Sequence, residues 1–171
     1  MSDDGPGASL RAFVLAAVGD DLASPADEVT VVERGDDPDP AARVAALLER
    51  TGESDGGDAV VGVIPRADPS LARRVTRDLD AETRLVFTGS AAQRLGGPAG
   101  APIRSALAAR GVKSYRHEGE TPVAVLLVGD RAVVGLFDER GLAAVLWSDA
   151  ASVREWAAAT CRRYLAAAEP M

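Results

Sequence analysis

Val123-Ala-Val-Leu-Leu-Val-Gly-Asp130 is an unbroken apolar run closed by a Gly-Asp pair. Its valines fit a strand. Gly129 and Asp130 suit a two-residue hairpin turn, because glycine tolerates positive φ. A returning strand is predicted over 131–137, a second turn over 138–141 and a third strand over 142–147. Upstream, residues 112–117 form a strand that turns at Glu118-Gly-Glu-Thr-Pro122. Tight turns between these strands imply antiparallel pairing. The meander is closed by a helix starting near Ser148 or Asp149, both good N-caps. Its buried stripe is predicted to be Val153, Trp156, Ala157, Thr160, Tyr164 and Leu165.

The first half has a different rhythm. Leu10, Phe13, Val14, Ala17 and Val18 recur at helical spacing within 9–18. Val29, Val31 and Val32 mark a strand over 28–33, and Pro40 suits the first turn of a helix over 41–50. Residues 59–64 read as a strand buried on both faces. Asp68-Pro69 starts a helix, with Asp as cap and Pro at the first helical position. A strand over 83–88, a short helix over 90–95, a Gly/Pro loop over 96–102 and a helix over 103–110 follow. Strands alternating with helices imply parallel pairing through right-handed crossovers. The expected fold is therefore α/β: a mixed sheet flanked by helices, with a parallel βαβ N-terminal half, an antiparallel meander and a C-terminal helix. Residues 1–27 are expected to hold a helix and linker, and 28–171 one sensor-like α/β domain.

The 171 residues carry a formal net charge of −7, which argues against broad contact with phosphate backbones. Lys113 is the only lysine, so the cations are almost all arginine. That composition fits either a salt-rich, halophilic cytoplasm or the codon bias of a high-GC genome. Cys161 stands alone, so no intramolecular disulfide can form. The N-terminus has no signal-peptide pattern and no run approaches a membrane span, so a cytoplasmic location away from membranes is expected.

One cysteine and one histidine exclude the clustered ligands of zinc, haem and iron–sulfur sites, so neither metal nor cofactor is expected. Cys161 is read as a small core residue and His117 as an exposed one. Arg73, Arg74 and Arg77 are read as a solvated helix face. Any small ligand is expected at the C-terminal edge of the parallel strands, where helix N-termini gather. Arg66, Asp68, Thr88 and Ser90 lie at those ends and could hold a sugar or an organic anion; the competing reading is that they merely cap helices.

Residues 123–130 resemble the His-x-Lys-x(4)-Asp motif of the phospholipase D superfamily, with Asp130 matching and Val123 and Val125 standing at the His and Lys positions. In that superfamily the histidine is the nucleophile and the lysine binds phosphate. The Gly-Ser-x-Asn element has no counterpart, since Gly135 falls two residues early and is followed by Leu136. The resemblance therefore implies a fold without the chemistry: no catalytic residue and no enzyme. More widely, 59–95 and 112–168 resemble the degenerate phospholipase D-like effector domain of archaeal winged-helix regulators of the sugar-sensing TrmB family. The residues carrying this are Val63-Ile-Pro65 before Asp68, Arg84-Leu-Val-Phe-Thr88, Gly135-Leu-Phe-Asp138, Leu146-Trp-Ser-Asp149, Glu155-Trp-Ala157 and Arg162-Arg-Tyr-Leu-Ala166.

The stretch before the first strand is too short for a winged helix. The resemblance thus implies a sensor domain without its DNA reader, acting on a small-molecule effector or on a winged-helix regulator in trans, with no direct nucleic-acid contact and pairing as a homodimer. Its alternatives are an interaction or dimerisation module of a transcription regulator and an unrecognised enzyme.

Overall fold

The computed structural model describes residues 5–18, 29–37, 39–52, 59–66, 68–75, 79 and 82–171. The eight strands form one mixed sheet: β1 (Thr30–Glu33), β2 (Val60–Ile64), β3 (Thr83–Thr88), β4 (Lys113–His117), β5 (Ala124–Val128), β6 (Arg131–Asp138), β7 (Gly141–Ser148) and β8 (Glu169–Pro170), in the order β1-β7-β6-β5-β2-β3-β4-β8. The helices are α1 (Pro6–Val18), α2 (Pro40–Gly52), α3 (Pro69–Val75), α4 (Gly89–Gly96), α5 (Ala101–Ala109) and α6 (Ala151–Ala167), with a 3-10 turn at Pro98–Gly100.

Side chains alternate across a strand, so each apolar strand feeds two cores. Val63, Val86, Val123, Val125, Val134 and Leu146 point to the face covered by α1 and α6. Val60, Leu85, Phe87, Val128, Val133 and Val145 point to the face packed against α2, α4 and α5. Leu10, Val14 and Val18 bury α1 in the first of these cores.

Among the described residues parallel pairing is confined to β2–β3 and β3–β4. The strand β1 does not join them. It pairs antiparallel to β7 at the far edge, Val31 opposite Leu146, so α2 crosses the whole meander to reach β2. A place beside β2 is not open to this valine-rich segment, because β2 is already paired on both sides, by β3 and β5.

The hairpin at Gly129-Asp130 forms as expected, with Val128 opposite Arg131 and Gly129 at φ 60°. Three expectations change. The supposed loop over 96–102 contains the 3-10 turn and the start of α5. Ala150, not Ser148 or Asp149, occupies the N-cap of α6, while Ser148 Oγ accepts the Ala150 N–H at 3.1 Å. In the stripe of α6 the fully buried residues are Val153, Ala157, Thr160 and Cys161; Trp156, Tyr164 and Leu165 are half-buried. The turns expected at 19–25, the linker at 53–58 and Arg77 lie outside the described residues.

Candidate functional site

The strands β2 and β3 run parallel and end at the same edge of the sheet, where α3 and α4 begin. The β6–β7 turn at 138–141 and the loop from β4 to β5 reach the same edge. Arg66, Asp68, Thr88 and Ser90, the four polar residues expected to gather at strand ends, are brought together here. One cleft is lined by Arg66, Asp68, Ser90, Gln93, Asp138 and Gly141. An adjoining one is lined by Arg66, Thr88, Ser90, Glu120, Thr121 and Phe137.

The four residues have different local duties. Asp68 caps α3: its Oδ1 accepts the Leu71 N–H at 3.2 Å. Its Oδ2 also lies against Gly141, where a Cβ would sit 2.5 Å away and φ is +118°, so only glycine lets the hairpin approach this closely. Ser90 Oγ donates to the Pro65 carbonyl at 3.3 Å. Arg66 Nη1 donates to the Asp138 carbonyl at 2.7 Å, which uses one of the five guanidinium donors.

Thr88 occupies the N-cap position of α4 but makes no capping bond. Its side chain is 0% exposed and Oγ1 has no hydrogen-bond partner. The neighbouring backbone donors are already engaged, Gly89 N–H by the Gly119 carbonyl and Ala91 N–H by Pro65. The capping reading thus holds for Asp68 and fails for Thr88.

Arg34, from the turn after β1, fixes the hairpin that faces Arg66. Its guanidinium makes a bidentate pair with Asp138, at 2.7 and 2.9 Å. Together with the Arg140 N–H, that pair holds the Asp138 carboxyl at about 2, well below its ordinary value. The sequence singled out neither Arg34 nor Asp138 as a site residue. They meet only because β1 lies beside β7, more than 100 positions along the chain.

Beneath Arg66 and Asp68 lies an apolar cavity of about 100 Å³, between the sheet and the α2–α3 side. Ala124 and Gly135, opposite one another on β5 and β6, form a low floor for it. Val44, Leu126 and Val145 are among its walls.

The positions that match the phospholipase D histidine and lysine are buried. Val123 and Val125 are 2% and 1% exposed, on the opposite face from that cavity, in the core under α1 and α6. Cys161 Sγ lies 3.7 Å from the Val125 carbonyl, and burial pushes its thiol up to about 12. Asp130 is exposed in the hairpin at the other end of β5. His117 is not the exposed residue expected. It is half-buried, packs edge-on against Tyr164 at 4.8 Å and accepts the Gly119 N–H through Nδ1. Arg73 and Arg74 are exposed, and Arg74 reaches Asp39 at 3.4 Å. Among the described residues no group of three or more His, Cys, Asp or Glu could hold a metal ion, and no helix is long and apolar enough to cross a membrane.

The family described as methanogenesis regulatory protein FilR1, middle domain, matches residues 40–167. Among solved structures, the archaeal chromatin protein TrmBL2, described as showing a novel mode of DNA binding, is similar at TM-score 0.57 and 13% identity, over 93% of this chain and 59% of that one. The phospholipase D family member Nuc from Salmonella typhimurium is similar at TM-score 0.63 and 11% identity, over 84% of this chain and 97% of that one. No curated protein matches the sequence. The two structural likenesses establish a phospholipase D-like fold, and this chain spans 59% of the length of TrmBL2.

Proposed function

Because the chain belongs to the family of the FilR1 middle domain, a transcription-regulator domain, we propose that it is the non-enzymatic sensor part of such a regulator. The observation that carries this reading is the convergence of Arg66, Asp68, Thr88 and Ser90 on two joined clefts. The burial of Val123 and Val125 supports the absence of phosphodiester chemistry, because an apolar side chain supplies neither nucleophile nor phosphate-binding cation. A small metabolite held in these clefts would bridge α3, α4 and the β6–β7 hairpin. It would thereby bias how those elements sit, which is what a sensor requires.

In this reading the domain works in the cytoplasm as a homodimer, and its acidic charge keeps it off DNA. A winged-helix chain or segment reads the DNA. The segment 28–171 is the sensor-like domain proper, with the helix and linker of 1–27 before it. A partner-docking role is the second reading. It is favoured by Phe13, 36% exposed and edge-on to Trp156 at 6.2 Å, on the α1–α6 side.

Calorimetric titration of the protein with sugars and organic acids tests the sensor reading. Saturable binding, weakened at least tenfold by both Arg66→Ala and Thr88→Val, is the expected result. Binding indifferent to both substitutions would remove the clefts from the function. Recovery of a stoichiometric complex with a winged-helix protein, broken by Phe13→Asp, would favour docking instead.

A further inference from the structure

The clefts and the apolar cavity are parts of one site, because Arg66 and Asp68 line both the polar mouth and the cavity below it. We propose that the ligand is a small amphipathic anion, a short aliphatic chain ending in a carboxylate, with its chain in the cavity and its head at Arg66. The proposal rests on the sensor reading above and narrows it to a chemical class. A purely polar sugar would leave the apolar space empty and gain nothing from it.

Size sets the length of the chain. An apolar cavity of about 150 Å³ accommodates benzene, so about 100 Å³ holds roughly four carbon atoms. The space exists because the sheet floor is cut down at Ala124 and Gly135. Charge sets the head. Asp68 accepts the Leu71 N–H through Oδ1, and Asp138 is paired with Arg34. Arg66 is exposed and, among the described residues, holds only the Asp138 carbonyl, so its guanidinium can still meet a carboxylate in the planar, two-point geometry it favours.

The test titrates the protein with the unbranched monocarboxylates from acetate to octanoate, with pentanol as the uncharged match to pentanoate and glucose as a polar control. Each methylene buried adds about 0.8 kcal/mol, so affinity is expected to rise about fourfold per carbon up to pentanoate and then level off. Pentanoate is expected to bind at least tenfold more tightly than pentanol, and Arg66→Ala to erase that difference. Ala124→Leu, which fills the floor, is expected to flatten the chain-length series.

Because that variant could misfold, xenon titration of methyl-labelled native protein reads the cavity directly. Shifts at the Leu126 and Val145 methyls are expected, as apolar cavities stay dry and take up xenon. Glucose binding without any chain-length dependence would overturn the amphiphile and leave the sensor reading standing. Absence of both the series and the xenon shifts would also overturn the proposal. The sensor reading itself fails only if no ligand responds to Arg66→Ala and Thr88→Val.

Discussion

Restoring the lysine of the degenerate motif would test whether that position is now core. In Val125→Lys an ammonium group must enter a site that is 1% exposed, in the core under α1 and α6. Fully buried lysines have pKa values near 5–6, so the folded variant would carry a neutral amine at pH 7. Stripping the proton from a group that ordinarily titrates at about 10.4 costs about 4.6 kcal/mol at pH 7. That is a large share of the roughly 5–15 kcal/mol that holds a domain folded.

The sign of the pH dependence follows from linkage. The unfolded chain binds the proton that the folded chain refuses, so the variant gains stability as pH rises, by about 1.4 kcal/mol per unit between pH 7 and 9. Urea unfolding at several pH values, with Val125→Met as the uncharged control of similar bulk, provides the assay. The reasoning fails if lysine and methionine cost the same, or if the penalty of lysine does not change with pH. The window stops at pH 9 because buried Cys161, whose pKa is raised to about 12, destabilises the fold from there upward.

Thr88→Val removes a buried hydroxyl that has no partner, so the ligand-free protein should gain about 1–2 kcal/mol; an unchanged or lower melting temperature would show the hydroxyl to be satisfied. Gly141→Ala forces a side chain into φ +118° and against Asp68, and should cost about 1–3 kcal/mol in denaturant unfolding. Arg34→Ala should return the Asp138 carboxyl from about 2 toward its ordinary value near 3.8, measured by NMR titration. Because the folded value is depressed, the pair's contribution to stability is present above about pH 4 and is lost as pH falls toward 2; acid unfolding should therefore begin at higher pH in that variant.

Local chemistry wrote much of the fold into the sequence. Gly129 and Asp130 specify a hairpin, the apolar runs specify buried strands, and Asp68-Pro69 specifies a helix start, because each depends only on neighbours along the chain. The same logic placed Arg66, Asp68, Thr88 and Ser90 at the ends of parallel strands, where the structure has them. Val123 and Val125 could be read as non-catalytic from residue type alone.

What depends on contacts between distant segments was out of reach. The pairing of β1 with β7 depends on which edge is left open, and no local pattern of Val29, Val31 and Val32 expresses that. The Arg34–Asp138 pair follows from that pairing, the contact of Asp68 with Gly141 from the approach of the β6–β7 hairpin, and the unpartnered Thr88 hydroxyl from the bonds that Gly119 and Pro65 make to the neighbouring backbone donors. The cavity is likewise a tertiary product. Ala124 and Gly135 are small in any reading of the sequence, but only the register that sets them opposite one another on the floor of the cavity turns smallness into space.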